Sequence, residues 1–143
     1  MRNRKLKILL VEDNPDDVKI AERSLKKGNV QSDLYVVQDG QEALDFLRRK
    51  GKYADAPRPD LIFLDLNLPK ISGHEVLAEI RKDPSLKRIP VIVLTVSKRE
   101  EDIVKAYDSG ASGYIPKPPS TTEFIKVINT VLDYWEISEL PPS

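Results

Sequence analysis

The chain has 143 residues, with 23 Lys+Arg balanced by 23 Asp+Glu, so its formal charge is zero; 40% of residues are hydrophobic and 32% charged. That length suits one domain with a proper core, and the balanced charge argues against a strongly basic nucleic-acid binder. There are no cysteines, which excludes disulfides, thiolate zinc sites and cysteine nucleophiles and suits a reducing cytoplasm. No apolar run reaches the ~18–20 residues that cross a bilayer, and neither a signal-peptide core nor a lipidation cysteine is present.

The basic lead "MRNRKLK" reads as solvated. "LKILLV" (6–11) is a short apolar run ending in Glu12 and Asp13, the pattern of a buried strand. In "NPDD", Asn14 suits an N-cap, Pro15 the first helical position, and Asp16 and Asp17 the positive helix end. That helix is predicted over 15–27, with Gly28 as its stop. "LYVV" (34–37) predicts a second strand, and "DGQE" opens a helix over 40–50, capped by Asp39 and ended by Gly51. "KYADAPRPD" (52–60) reads as an exposed loop.

"LIFL" (61–64), "VIVL" (91–94) and "GYI" (113–115) predict three further strands. Each is followed by a Ser-x-x-Glu capping box: Ser72–Glu75, Ser97–Glu100 and Ser120–Glu123. The corresponding helices are predicted over 73–82, 98–109 and 121–135. The last carries an apolar stripe from Phe124 to Trp135 at helical spacing. Five strand–helix alternations with uninterrupted apolar strands indicate an α/β fold, a doubly wound parallel sheet covered on both faces. The chain is expected to be one domain over 1–143, with its core within 6–135.

In such a sheet the carboxyl ends of the strands share one edge, where ligands bind. Glu12 and Asp13 follow the first strand, Asp65 the third, Thr95 ends the fourth and Lys117 follows the fifth. Individually these residues have plain explanations: Glu12 and Asp13 as helix caps, Thr95 as a strand residue, Lys117 as a surface lysine. Asp65, directly after four apolar residues, is harder to dismiss, and the joint pattern harder still. Crowded carboxylates repel unless a proton or cation intervenes. Hard oxygen donors without imidazole favour Mg²⁺, or Mn²⁺, over zinc or copper. A metal, a lysine and a hydroxyl around an ionised aspartate are parts for handling a phosphoryl group. Asp65 is the best nucleophile candidate and Asp13 the best direct ligand, with Glu12 assisting.

With "ILLVEDN", "LIFLDLNLPKISG", "VIVLT" and "GYIPKP" in that order, the chain resembles the receiver domain of bacterial two-component response regulators, from about Lys7 to Trp135. The resemblance implies a flavodoxin-like five-stranded sheet in order 2-1-3-4-5 with five helices. It implies Asp65 as phosphoacceptor, and Asp13, Asp65 and the Asn67 backbone carbonyl as metal ligands with Glu12 as the outer acid. It implies Thr95 and Lys117 as the phosphoryl-contacting pair, Tyr114 as an aromatic switch beside Thr95, and a cis Lys117–Pro118 bond. Val96 departs from the small residue usual after that threonine. The loop 52–60, "LDLNLPK" and "DYW" (133–135) further resemble small stand-alone regulators associated with bacterial phytochromes.

A signalling protein, not an enzyme, is thus expected in the cytoplasm: a phosphoprotein of a two-component system or phosphorelay. A histidine kinase (a phytochrome among the candidates) or a phosphotransfer protein would donate the phosphoryl group. The surface of the fourth helix, fifth strand and fifth helix would carry the signal to a partner or a homodimer. With the sequence ending just after the fifth helix, no DNA-binding output domain is expected. Tyr134 and Trp135 suit either a dimer contact or core closure. The single histidine, His74, is expected to be solvent-exposed. Two rivals remain: a phosphorylation-independent docking module of the same fold, and an aspartate-nucleophile phosphatase. The phosphatase reading is weakened by Asn67, where such enzymes need a second Asp.

Overall fold

The computed structural model describes residues 5–142. Five parallel strands, β1 (Leu6–Val11), β2 (Ser32–Val37), β3 (Leu61–Leu64), β4 (Val91–Thr95) and β5 (Gly113–Pro116), alternate with five helices. The helices are α1 (Pro15–Lys27), α2 (Gly40–Arg48), α3 (Gly73–Lys82), α4 (Glu100–Asp108) and α5 (Thr121–Ile137). The sheet order is β2-β1-β3-β4-β5, the expected flavodoxin-like arrangement with Tyr114 on an edge strand.

Alternation along the strands builds two cores. Leu9, Val11, Ile62, Leu64, Val91 and Val93 face one side and pack with Leu44, Leu77, Ile80 and Ala106 of α2, α3 and α4. Ile8, Leu10, Leu61, Phe63, Ile92 and Leu94 face the other and pack with Ala21 of α1 and Phe124, Ile128 and Leu132 of α5. Both faces are covered, which is why β3 and β4 are buried at every position. Truncating Leu77 or Ile80, both fully buried, to alanine costs about 2–5 kcal/mol.

Register aligns the chemistry. Val11 pairs with Leu64, and Leu64 with Val93. The next residues, Glu12 and Asp65, therefore leave the sheet side by side; the Asp65 N–H still bonds the Val11 carbonyl at 3.1 Å. Thr95 pairs with Pro116, and the Lys117 N–H reaches the Thr95 carbonyl at 2.7 Å. Gly73 opens α3 directly beneath the loop after β3. A Cβ there would sit 2.2 Å from the Asp65 carbonyl oxygen and 2.6 Å from Leu66 Cα, so only glycine lets the helix start that close.

Several local expectations are corrected. Gly28 is the expected stop of α1, but it ends the helix in extended rather than left-handed conformation, φ −78°, with Asn129 Oδ1 of α5 2.4 Å from where a Cβ would stand. The left-handed stop of α2 is Arg49, φ 56°, not Gly51. The Arg49 guanidinium bonds the Ala56 carbonyl at 2.9 Å, which anchors the side chain in that strained position. The loop 52–60 is less exposed than expected: it starts with a 3₁₀ turn at Gly51–Tyr53 and buries Pro59. Ser72 and Ser120 cap α3 and α5 as expected, but the N-cap of α4 is Arg99, which gives no side-chain cap, because the Ser97 hydroxyl is engaged by Asp102. No peptide bond among the described residues is cis, Lys117–Pro118 included. Trp135 packs against the α1/α5 core, while Tyr134 is exposed.

Candidate functional site

The acidic end of the sheet is organised around one ammonium group. Lys117 Nζ lies 2.6 Å from Glu12 Oε1, 2.8 Å from Asp17 Oδ2 and 3.0 Å from Asp65 Oδ2. Lys117, Glu12 and Asp65 are all buried side chains, each under 10% exposed. Burial works against the charge on Lys117, but the hydrogen bonds to Asp17, Glu12 and Asp65 outweigh it and hold the ammonium above its ordinary pKa. Burial pushes the Glu12 carboxyl up to about 7; the nearby Asp65 charge adds to that, and the Lys117 contact only partly opposes it.

Local backbone keeps the acids in place. Glu12 Oε2 accepts the Asn14 N–H at 3.1 Å, and Asp65 Oδ1 accepts the Asn67 N–H at 3.2 Å. Asn14 Oδ1 in turn caps α1 by accepting from Asp16 and Asp17 N–H, which sets where Asp17 projects. Carboxylate oxygens of Glu12, Asp13 and Asp65 all lie within 4.8 Å of one another. Asp13 is exposed while the other two are buried, so the cluster opens to solvent on the Asp13 side.

This donor set fits a divalent cation. It offers three hard carboxylate oxygens with an open side for water, no imidazole or sulfur, and a negative excess over the single lysine. The same set places the Asp65 carboxylate against the Lys117 ammonium at the edge of the cluster.

Of the residues singled out from sequence, Glu12, Asp13, Asp65 and Lys117 converge. Thr95 is fully buried, and its Oγ1 accepts the Ser97 N–H at 3.5 Å; no hydrogen bond joins it to the acids among the described residues. The Tyr114 hydroxyl donates to the Ser97 carbonyl at 3.0 Å, which holds the ring against the β4–α4 loop. Val96, in that loop, is 65% exposed.

Two partners escaped the sequence reading. Asp17 is a full partner of Lys117, one hundred positions away. Its place in the first turn of α1, directly after the Glu12–Asp13 strand end, was the available signal. His74 is not solvent-exposed: its side chain is 12% exposed and its Nε2 lies 3.1 Å from Asp102 Oδ1.

A sheet in this order with this acid cluster and lysine at its carboxyl edge defines a receiver domain, and the family comparison agrees. Residues 8–129 match the response regulator receiver domain, and the chain belongs to that family. Among curated proteins it is 42% identical to response regulator Rcp1 of Synechocystis sp. over 128 residues, 90% of this chain and 87% of that one. Among solved structures it is similar to the phosphorylated cyanobacterial phytochrome response regulator RcpA, with TM-score 0.93 and 44% identity over 97% of this chain and 100% of that one. The Mn²⁺-bound form of Rcp1 gives TM-score 0.91 and 41% identity over 96% and 99% of the two chains. The chain is thus a receiver domain related to phytochrome response regulators.

Proposed function

We propose that this protein is a stand-alone phosphoacceptor in a phytochrome-type two-component system and that Asp65 takes the phosphoryl group. The observation that carries this reading is the convergence of Glu12, Asp13 and Asp65 within 4.8 Å, with Lys117 held against Asp65. Support also comes from the similarity to a response regulator whose phosphorylated form was solved and to one solved with Mn²⁺.

The donor is a phosphohistidine of a histidine kinase or phosphotransfer protein. An Asp65 carboxylate oxygen attacks phosphorus; the P–N bond breaks, and its electron pair leaves with the imidazole, which takes up a proton. Asp13, Asp65, the Asn67 carbonyl and, as the outer acid, Glu12 would hold Mg²⁺, which supplies charge neutralisation for the phosphoryl oxygens. Lys117 exchanges its contact with the Asp65 carboxylate for one with the new phosphoryl oxygens. Thr95 then offers its hydroxyl to a phosphoryl oxygen; because it is buried and tied to the Ser97 N–H at rest, the β4–α4 loop must shift to permit this. Tyr114 releases the Ser97 carbonyl as the loop moves, and the α4–β5–α5 face changes for a partner or a second copy. The protein assists its own phosphorylation and dephosphorylation and works in the cytoplasm with neither nucleic acid nor membrane as a partner.

Incubation with acetyl phosphate and Mg²⁺, followed by intact mass, tests the reading. The wild type should gain one phosphoryl group, and Asp65→Asn none. Continuous phosphate release without a stable adduct would indicate a phosphatase, and no adduct at all a phosphorylation-independent docking module.

A further inference from the structure

The β4–α4 loop is tied at rest to a helix that does not carry the site. His74 stands in the first turn of α3, and its Nε2 meets Asp102 Oδ1 at 3.1 Å. Asp102, in the first turn of α4, uses its other oxygen to accept the Ser97 hydroxyl at 2.6 Å. Ser97 accepts the Tyr114 hydroxyl on its carbonyl and sends its own N–H to Thr95 Oγ1. A carboxylate only accepts, so Nε2 must carry the proton in this contact. His74 Nδ1 is buried without a hydrogen-bond partner, so Nε2 is the only polar atom that holds the ring in place. Ser97 first and His74 second hold the Asp102 carboxyl below its ordinary pKa.

We propose that His74 and Asp102 are positioning residues that latch the β4–α4 loop in its resting form through the Ser97 hydroxyl, and so slow the phosphorylation of Asp65. The idea rests on the reading of Asp65 as phosphoacceptor. The loop that must move for Thr95 to reach a phosphoryl oxygen is the one whose Ser97 is gripped from both sides: the hydroxyl by Asp102 and the carbonyl by Tyr114. The Asp102 grip is itself braced across an interhelical gap by His74. An element with two arrangements responds to any group that favours one of them, and here the favoured one is the resting form. A buried nitrogen left without a partner is a local cost that a purely structural side chain at this position would not carry. The latch accounts for a histidine rather than a long apolar residue on this face of α3.

The test is the rate at which full-length protein is phosphorylated by acetyl phosphate with saturating Mg²⁺, read by intact mass over time. His74→Ala should react about three- to tenfold faster than wild type, the size of an ordinary coupling between linked groups. His74→Gln, whose amide nitrogen can reach the Asp102 carboxylate, should restore the wild-type rate. Asp102→Ala, which removes the grip itself, should react at least as fast as His74→Ala, and the double variant no faster than Asp102→Ala, because His74 acts only through Asp102. Asp102→Ala also serves as the test if His74→Ala fails to fold. Unchanged or slower reaction in variants that melt like wild type, or failure of glutamine to restore the rate, would overturn the latch. Absence of phosphorylation in the wild type would instead overturn the reading of Asp65, so the two failures are distinct.

Discussion

Two corners of this molecule use the same ingredients to opposite ends. At the start of α2, Glu42 accepts the Tyr53 hydroxyl at 2.5 Å and the Gln38 N–H at 3.0 Å, and pairs with Lys52 at 3.5 Å. Each oxygen of that carboxylate has a donor within the protein, and the Tyr53 hydrogen bond is the chief reason its pKa lies below the ordinary value. At the carboxyl edge of the sheet, three carboxylates share one ammonium while Asp13 stands beside them. There Glu12 is pushed up, not down. The first corner is complete in itself and pins the loop after α2. The second crowds Glu12, Asp13 and Asp65 together, and this crowding is what suits it to a divalent cation.

The largest expected effect comes from removing the single cation of the unsatisfied corner. Lys117→Met leaves buried carboxylates without compensation, and unfolding in urea at neutral pH without Mg²⁺ should show a loss of about 3–5 kcal/mol. Wild-type stability in that variant would mean that the acids are already neutral and the contrast between the corners is false.

A smaller effect is expected at the satisfied corner. Tyr53→Phe should cost about 1–2 kcal/mol near neutral pH, because it removes a hydrogen bond to a charged group while Lys52 and Gln38 remain. Burial first, then the bond to Glu42, pushes the Tyr53 hydroxyl up to about 12. With the folded pKa above the unfolded value near 10, the stabilisation is complete below pH 10 and disappears as pH rises from 10 to 12. Denaturant midpoints across that range should therefore fall for wild type and converge on Tyr53→Phe. Parallel curves would mean that the bond is not the source of the difference. The smallest effect belongs to Asp17→Asn. Lys117 keeps two carboxylate partners, so stability should change by less than about 1 kcal/mol, and a larger loss would make Asp17 the principal anchor.

Much of this contrast was readable from sequence where the signal was local. Leu6–Val11 and Leu61–Leu64 have sharp ends because an apolar run stops at a charge, and Pro15 and Asn14 mark the start of α1 without ambiguity. The parallel sheet followed from uninterrupted apolar strands, and the carboxyl edge followed from the sheet. What was not legible depends on which side chains meet across elements. Asp17 reads as a helix-end charge until Lys117 is seen against it. Ser97 reads as a capping residue, yet its hydroxyl is committed to Asp102 and α4 begins two residues later than a capping box would place it. His74 reads as exposed because helix phase says nothing about the neighbouring α4 that covers it. Gly51 suggested the end of α2, but two N–H bonds back into the last turn let Arg49 take the left-handed position first.

The central claim is that the acid corner is strained by its own charge until a divalent cation relieves it, and thermal melting of wild type and Asp65→Ala with and without Mg²⁺ tests it most directly. Without Mg²⁺, Asp65→Ala should melt at or above the wild-type temperature, since it removes one of several crowded carboxylates while Lys117 keeps Glu12 and Asp17. With Mg²⁺ the wild type should rise by mass action and the variant should not, so that the order closes or reverses. A wild type already clearly more stable than Asp65→Ala in the absence of the ion, or one that Mg²⁺ leaves unmoved, would contradict the account.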